Sequence, residues 1–381
     1  MFAPVRALLA PRSQASPGVL AAAACVAATF TSTPFLIPDI AAELNVGLGT
    51  AGLLSTFQVG GFATTSFLAG RLLRPQARLH QAALLLVAGG NALSAFSTRF
   101  WMVLLCQMVV GVGLGLLTWL SWAEATRHRQ GLADVASIGP LTSMMGAPIF
   151  GWISEVGNYR AIFALLAVIS VATLAIDARY GELPVIGRNV SDSRSNRLLL
   201  LALFTVTLSG SGLFVFAAAA GRQIAGLSPT VVSFAFSLNA LVGVLANRFT
   251  ARRGTAGLWL LGGSIAAAAI GTVSSAPVYI VAMTAWGFVW WMGVPAVFRL
   301  LAERSLSPAE RVGDAQSLMA LGRVFGPLIG GAILGTGEFG RLALAAALGL
   351  VAGSLLVLAV EVARNRIDAQ PSLARGSQPV L

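Results

Sequence analysis

The sequence is dominated by about twelve apolar runs, each close to the length of one membrane-spanning helix. A helix needs roughly 20 mostly apolar residues to cross the hydrocarbon core of a bilayer. The runs lie near residues 18–40, 49–70, 80–97, 100–122, 134–154, 160–177, 198–220, 229–248, 256–275, 278–299, 314–335 and 341–362. Because only helices and closed barrels satisfy their backbone groups in lipid, we predict an all-α integral membrane protein with twelve transmembrane helices.

The composition of the chain agrees with this prediction. Hydrophobic residues make up 56% of the 381 residues and charged residues only 10%, whereas soluble domains carry about a quarter charged residues. A chain this apolar cannot cover a surface that faces water. The two cysteines lie in apolar runs, and His80 and His128 lie in predicted cytoplasmic loops without metal-ligand spacing. We therefore predict no metal and no cofactor.

All 25 basic residues are arginine, and the formal net charge is +11. Without lysine the chain has no Walker A loop, which excludes an ATPase of that class. Twenty arginines fall on one side of the predicted spans, Arg99, Arg160, Arg222 and Arg341 fall on the other, and Arg323 lies within a run. By the positive-inside rule this predicts a plasma (inner) membrane protein with both termini cytoplasmic. The charge then matches the anionic inner leaflet rather than a nucleic-acid partner.

The longest polar stretch divides the chain into two halves. We predict a cytoplasmic leader at 1–17, a six-helix bundle at 18–177, a cytoplasmic linker at 178–197, a second six-helix bundle at 198–362 and a cytoplasmic tail at 363–381. Matching residues recur 179 or 180 positions apart in the two halves: Glu124 and Glu303, Asp134 and Asp314, Pro148 and Pro327. Several matches in one register indicate two parallel repeats.

Two six-helix repeats joined by a cytoplasmic linker resemble the architecture of the major facilitator superfamily, and three motifs agree with it. LIPDIAAEL lies at the outer end of the first run, GNYRAIF resembles the usual start of the sixth helix, and GPLIGG resembles the family's G-P-x-x-G-G element. The resemblance implies a transporter that works by alternating access. It is closer to the drug/proton antiporter exporters than to the sugar importers.

Two motifs of this family are altered in the chain. After the second run, Gly70 and Arg78 fit the family pattern, but Arg74 replaces its aspartate and Ala77 its glycine. In the fourth run, Gln107 stands where the family often has an arginine tied to proton antiport. The implied fold survives these changes, whereas proton coupling through the usual residues does not follow from the resemblance.

Arg323 is a charged residue in the middle of the eleventh run. It lies 9 residues after Asp314, which is about 13 Å along a helix and near mid-depth of a core of about 30 Å. A charge at this depth is costly, so Arg323 is expected to face the protein interior or a watery cavity. Two roles stay open: a brace bonded to backbone carbonyls near Pro327, or an anchor for an anionic or carbonyl-bearing substrate.

A few other side chains are candidates for substrate contact. Gln58, Gln107 and Asn239 are the polar groups left for the central cavity. Trp286 and Trp290 lie four residues apart and share one helix face, on a helix that lines the cavity in the resembled family. The two tryptophans form either a platform for a flat, lipophilic substrate or an ordinary packing surface.

The GPLIGG element predicts helix bending and close helix packing. Pro327 removes a backbone hydrogen bond, while Gly326, Gly330 and Gly331 allow a neighbouring helix to approach. Pro148 is the equivalent proline of the first half.

The family resemblance also suggests a gate of salt bridges at the cytoplasmic ends of the helices in the outward-open state. Its candidate residues are Arg74, Arg78, Glu124, Arg252, Arg253 and Glu303. No carboxylate falls in the middle of a predicted span. Asp39, near the outer end of the first run, is the best candidate for proton coupling, and the alternative is a residue that simply contacts solvent.

We therefore expect a monomeric secondary transporter that exports a small lipophilic or amphiphilic compound, with protons as the candidate coupling ion. A cavity poor in hydrogen-bonding groups suits such compounds better than sugars. One alternative is an importer or facilitator of a small organic anion held by Arg323, and another is a membrane sensor. An enzyme is not expected, because no cluster of acids, histidines or metal ligands lies near one interface.

Overall fold

The computed structural model describes residues 15–125, 129–180, 194–246, 255–303, 308–336 and 338–369, which form helices and no strands. Twelve long helices follow one another along these ranges: α1 Pro17–Glu43, α2 Leu53–Leu72, α3 Ala77–Phe96, α4 Phe100–Ala125, α5 Arg129–Val156, α6 Tyr159–Leu174, α7 Arg194–Phe214, α8 Pro229–Ala246, α9 Ala256–Thr272, α10 Ala276–Glu303, α11 Pro308–Thr336 and α12 Phe339–Ala369. Two short helices accompany them, Leu48–Ala51 before α2 and Ala217–Gln223 after α7.

Each predicted span corresponds to one of the twelve long helices, so the predicted fold class is confirmed. Eight helical stretches of the described chain are long and apolar enough to cross a membrane. The helices α6 and α9 are apolar but shorter, with 16 and 17 residues. The helix α2 is rich in glycine, serine and threonine, and α5 contains two prolines and three charged residues. Both helices line the cavity described below. The predicted segment boundaries stay a prediction, because 181–193 of the linker lie outside the described residues.

Two predicted spans are interrupted near the same end of the bundle. The run at 49–70 is divided at Gly52, and the run at 198–220 is divided at Val215 and Phe216. The two interruptions are in contact, because a Cβ atom on Gly52 would collide with the ring of Phe216. A larger residue at position 52 would therefore have to displace this buried ring.

The helices pack in the same pattern in both halves. In the first half α1 packs on α5, α2 on α4 and α3 on α6, and in the second half α7 packs on α11, α8 on α10 and α9 on α12. The contacts between the halves are equivalent in the same way, since α2 meets α11 and α5 meets α8. The packing thus follows the internal repeat of the sequence.

In each half, the third helix is hydrogen-bonded to a residue in or just after the sixth helix, but the bonding groups differ between the halves. Tyr180 Oη lies 2.6 Å from Nδ1 of His80 near the start of α3, and burial raises the pKa of Tyr180. His80 is buried in this helix, which corrects its predicted place in a loop. In the second half, Glu361 of α12 accepts hydrogen bonds from Ala256 N at 2.7 Å and Gly257 N at 3.2 Å, so its carboxylate caps α9.

The two halves are joined at the end of the bundle where α1 and α5 end and α8 begins, which we call the closed end. Glu155 Oε2 of α5 accepts a hydrogen bond from Thr230 N of α8 at 3.0 Å. About two to three turns further into the bundle, Ser237 Oγ of α8 donates to Met144 O of α5 at 2.9 Å. These bonds connect the halves directly, so separating the closed end requires breaking them.

Candidate substrate cavity

A cavity of about 560 Å³ lies between the two halves. The first half lines it with α1, α2, α4 and α5, and the second half with α7, α8, α10 and α11. Along α1 the lining runs from Ala23 to Pro34, so the cavity extends towards the start of α1 and stops before the closed end. Its volume falls in the range of small-molecule sites, about 300–1,000 Å³.

Aromatic rings form a cluster on each side of the cavity. In the first half, Phe30 and Phe62 meet edge to face with their ring centroids 5.3 Å apart. In the second half, the ring centroid of Phe214 lies 5.2 Å from that of Phe236 and 6.3 Å from that of Trp286. Further indoles in the wall belong to Trp122, Trp290 and Trp291. Such rings offer apolar faces to a flat or lipophilic ligand.

Trp286 and Trp290 both line the cavity from α10. A Cβ atom on Gly210 of α7 would lie 3.4 Å from the Trp286 ring and 3.2 Å from the Trp290 ring, so this glycine makes room for both indoles. Trp286 is 6% exposed, and Trp290 is half-buried. Both rings also pack against the apolar core, so the two tryptophans line the cavity and contribute to core packing at the same time.

The polar groups of the cavity wall are hydroxyls, an amide and one guanidinium. Asn239 lines the cavity and donates through Nδ2 to Met283 O at 2.8 Å. The hydroxyl oxygens of Thr118, Ser121 and Thr207 are buried in the wall without a hydrogen-bond partner among the described residues. The described lining contains neither a carboxylate nor a histidine.

Arg323 supplies the guanidinium and is the one charged residue in the described lining. Its side chain is exposed to the cavity, and within the described ranges it forms no hydrogen bond or ion pair. A guanidinium carries five hydrogen-bond donors, and charged side chains at this depth are normally paired. The bonds to backbone carbonyls that a brace near Pro327 requires are therefore not formed here.

Gln58 and Gln107 lie behind the cavity wall, which corrects their predicted place in the central cavity. Both are fully buried. Thr33 Oγ1 donates to Gln58 Oε1 at 3.1 Å, and Gln58 Nε2 donates to Gln107 Oε1 at 2.8 Å. Gln107 Nε2 in turn donates to Asn91 Oδ1 at 3.2 Å and to Ser94 Oγ at 3.0 Å. The network connects four helices, and of its members Thr33 alone lines the cavity.

Asp39 lies between the two halves at the closed end rather than in solvent. Its Oδ1 accepts a hydrogen bond from Arg222 Nη1 at 2.8 Å, and its Oδ2 accepts one from Ser154 Oγ at 2.6 Å. The Asp39 side chain is 9% exposed and that of Arg222 is 32% exposed. Because Arg222 follows α7, the ion pair joins the first half to the second. The alternative of a merely solvated Asp39 is thus corrected.

A family model described as the Major Facilitator Superfamily matches residues 19–331 of the chain. The chain belongs to the Major Facilitator Superfamily. The family inferred from the sequence motifs is thereby confirmed, and the chain is a multi-pass membrane protein of a transporter family. A chloramphenicol resistance protein of Streptomyces lividans is 26% identical over 344 residues, which cover 81% of this chain and 86% of that protein.

Solved transporter structures share the superfamily fold. A POT family transporter in complex with 5-aminolevulinic acid superposes with a TM-score of 0.71 at 11% identity, over 92% of this chain and 96% of that chain. A bacterial homologue of the human lysosomal transporter Spinster, in an inward-facing and occupied conformation, gives 0.65 at 15% identity, over 94% and 98%. The human organic anion transporter TETRAN gives 0.63 at 18% identity, over 89% and 97%.

The cytoplasmic gate suggested by the superfamily resemblance is only partly described. Two of its residues lie outside the described ranges, Arg252 and Arg253. Two others are exposed, Arg74 and Arg78. Glu303 Oε1 lies 3.5 Å from Arg299 Nε on the same helix, and Glu124 is buried at the end of α4. The salt bridges of this gate stay a prediction.

Two glycines of the superfamily-like GPLIGG element pack within the second half. On Gly326, a Cβ atom would lie 2.5 Å from the carbonyl oxygen of Leu208 in α7. On Gly330, it would lie 2.5 Å from the carbonyl oxygen of Gly212. Both positions thus allow α11 to approach α7 to backbone contact.

The remaining residues of the predicted hinge set have different surroundings. Gly331 faces the first half, where a Cβ atom would collide with the carbonyl oxygen of Gly49. Pro327 lies inside α11 and Pro148 inside α5, and both helices continue through the proline. Hinge bending at these prolines stays a prediction.

Arg222 and Ser154, the partners of Asp39, were not identified as site residues from the sequence. Arg222 was counted only as one of four arginines on the outer side. A signal was nevertheless present, since Asp39 and Arg222 have opposite charges at the same predicted membrane depth in the two halves of a superfamily fold. Thr207 gave no signal, because hydroxyl residues are common throughout the spans.

Proposed function

We propose that this superfamily member is a secondary active transporter that exports a small lipophilic or amphiphilic compound by alternating access. The observation that carries the proposal is the aromatic cavity of about 560 Å³ between two halves that are bonded together at the closed end. The Streptomyces relative, which is described as a chloramphenicol resistance protein, supports export of a drug-like compound.

The arginine bias supports an orientation in which the closed end faces outwards. The chain then lies in the plasma (inner) membrane with both termini and the linker in the cytoplasm. In this orientation the cavity extends towards the cytoplasm, which is the inward-facing state of a carrier. Alternating access then requires the closed end to separate while the cytoplasmic ends come together, and the predicted cytoplasmic gate forms in that second state. The carrier is proposed to work as a monomer.

Protons are the proposed coupling ion, with Asp39 as the residue that binds them. The described cavity lining offers no carboxylate or imidazole to carry a proton. Asp39 instead joins the halves through Arg222. Protonation removes the carboxylate charge and weakens a charge-assisted hydrogen bond, which favours separation of the closed end. Proton binding and opening are then the same event.

Accumulation of labelled chloramphenicol in an efflux-deficient bacterial strain tests the proposal. Cells that contain the protein should accumulate less of the compound than cells with an empty vector, and a protonophore should abolish the difference. A lipophilic cationic dye and an anionic counterpart are measured in parallel. Equal accumulation of all three compounds with and without the protein, at verified membrane expression, would contradict export.

A facilitator of a small organic anion is the second candidate function, because Arg323 has no partner in the described part of the cavity. Such a protein changes the accumulation of the anionic probe in the direction of its gradient, and a protonophore leaves this change intact. The same assay therefore separates the two candidates.

A further inference from the structure

We infer that the cavity selects aromatic monoanions, binding their carboxylate to Arg323 and their ring against the tryptophans of α10. The inference rests on the proposed function, since it names the substrate class of the same cavity. It goes beyond a lipophilic compound in general, because it predicts the sign of the charge that the cavity accepts.

The charge of the cavity wall determines which sign of charge a ligand should carry. Arg323 is the one ionised group among the described lining residues, and no carboxylate of the described lining offsets it. Protein and lipid around the cavity have a low dielectric constant, in which a charge acts more strongly than in water. A bound anion therefore compensates the guanidinium, whereas a bound cation adds a second uncompensated positive charge.

The hydrogen-bonding capacity of the wall points to a carboxylate. Arg323 offers a planar fork of donors that matches two carboxylate oxygens at once. Thr207 adds a buried hydroxyl that has no partner in the described chain. Its Cβ atom would lie 3.1 Å from a Cβ atom on Gly322, the residue before Arg323. A donor hydroxyl thus lies beside the segment that carries the guanidinium.

The aromatic platform lies within about one helical turn of the level of Arg323 in the cavity. Arg323 lies 15 residues after the start of α11, or about 22 Å of helix. Trp290 lies 13 residues before the end of α10, or about 20 Å. The start of α11 and the end of α10 are on the same side of the bundle.

The helix α7 connects the two parts of this site. Thr207 and Gly210 lie three residues apart on one face of α7, or about 4.5 Å along the helix. Thr207 packs beside the Arg323 segment, and Gly210 lies under the Trp286 and Trp290 rings. The polar and aromatic parts are therefore about one helical turn apart. A carboxylate attached to a fused ring through a short chain spans this distance.

Three compounds with the same ring and different charges test the inference: 1-naphthylacetate, its neutral amide, and the cation 1-naphthylmethylamine. Equilibrium binding of the labelled acid to the purified full-length protein in lipid nanodiscs is measured, with the other two as competitors. We expect the acid to bind at least about tenfold more tightly than the amide, because a charge-assisted bidentate pair is stronger than a neutral hydrogen bond. The amine should be the weakest competitor.

The matched variants are Arg323→Gln, Arg323→Lys and Arg71→Gln. Arg323→Gln should bind the acid and the amide equally, and Arg323→Lys should keep part of the preference because it keeps the charge but loses the fork. Arg71 is exposed at the end of α2 and lies outside the cavity lining, so Arg71→Gln should keep the full preference. A thermal-unfolding measurement for each variant shows that the fold is intact.

Flux of the same probes and of chloramphenicol in proteoliposomes separates the failure of this inference from that of the proposed function. Equal binding of acid and amine, or an unchanged acid preference in Arg323→Gln, overturns the inference. Export of chloramphenicol or the amine without binding of the acid also overturns it but leaves the proposed function standing. Preferential binding of the acid without flux of any compound supports the charge selectivity and overturns transport.

Discussion

At the scale of residues, Asp39 and Arg222 show that local sequence patterns do not specify contacts between residues far apart in the chain. They are 183 positions apart, yet their side chains form the ion pair between the halves at the closed end. The helical spacing rules connect residues three or four positions apart. Their opposite charges at one predicted depth are compatible with a pair, but no such rule reaches across two six-helix bundles, so the contact itself required the fold.

Replacing Asp39 by asparagine is expected to shift the carrier towards opening of the closed end. The variant keeps a similar shape but loses the charge-assisted bond, which contributes about 1.5–3 kcal/mol and changes the ratio of two states roughly ten- to hundredfold. The reporter is Ser233→Cys on a background without Cys25 and Cys106. Ser233 of α8 is buried against Gly151 of α5 at the closed end, so its labelling by an impermeant maleimide measures separation.

The control for this experiment is Asp177→Asn, since Asp177 is an exposed acid that pairs with Arg179 outside the helices. Its labelling rate should equal that of the parent protein. Unchanged labelling in the Asp39→Asn variant would show that the ion pair does not hold the closed end together.

Gln107 illustrates the opposite error, in which a sequence signal was present but its meaning was wrong. A polar residue in an apolar run indicates a satisfied polar environment, but that environment is either a cavity or a buried network. Its side-chain partners lie on two other helices, Gln58 on α2 and Asn91 and Ser94 on α3. By contrast, Trp286 and Trp290 were correctly placed on one face, because the period of a helix alone determines that.

Replacing Gln107 by leucine should therefore lower stability rather than substrate affinity. The change leaves Gln58 Nε2 and the side-chain oxygen Oδ1 of Asn91 without their present partners. A buried unsatisfied group costs about 1–3 kcal/mol. We expect a lower midpoint of thermal unfolding in detergent, with the binding constant of a transported compound unchanged at a temperature where the variant is folded. A loss of affinity without a loss of stability would return Gln107 to the binding site.

At the scale of elements, the existence of the helices followed from the sequence, while their interruptions did not. Twenty apolar residues are enough to predict a span. The break at Gly52 and the one at Val215 and Phe216 are in contact with each other across the two halves. Composition is averaged over a whole run and does not record such a contact.

The contact of α11 with the short helix Leu48–Ala51 predicts a graded effect of two alanine substitutions. In Gly331→Ala the new methyl group would collide with the carbonyl oxygen of Gly49, and overpacking of this kind costs about 1–3 kcal/mol. The closed end should therefore separate more often and label faster at Ser233→Cys. Gly335→Ala is the matched control, because a Cβ atom there has nothing within 4 Å. Equal labelling of the two variants would contradict a tight contact at Gly331.

At the scale of the whole molecule, the repeated packing explains how two halves can rock as units. The contacts of α1 with α5 and of α7 with α11 lie within a half, whereas α5 with α8 and α2 with α11 connect the halves. A motion that keeps the contacts within each half and exchanges the contacts between the halves leaves each bundle intact. The sequence repeat predicted this division, but it did not predict which end is closed.

Cross-linking the closed end should stop transport in a reversible manner. The variant Glu155→Cys with Thr230→Cys, at the other closed-end contact between the halves and on the background without Cys25 and Cys106, is joined by a cleavable bifunctional thiosulfonate. Because alternating access requires the closed end to separate, export should fall to background and return after reduction to the level of the same variant before joining. Each single-cysteine variant treated identically is the control, and undiminished export in the joined protein would rule out separation at this end.

The guanidinium of Arg323, which has no partner among the described residues, also has an electrical consequence in the proposed transport cycle. An empty cavity carries one positive charge through the reorientation of the halves, and a cavity filled by a monoanion carries none. A unit charge that crosses the full membrane potential exchanges about 2.3 kcal/mol per 100 mV. In the proposed cycle the cavity therefore adds electrical work to the return of the empty carrier and none to the step that carries a bound monoanion, so any voltage dependence of the loaded step has to come from the proton at Asp39.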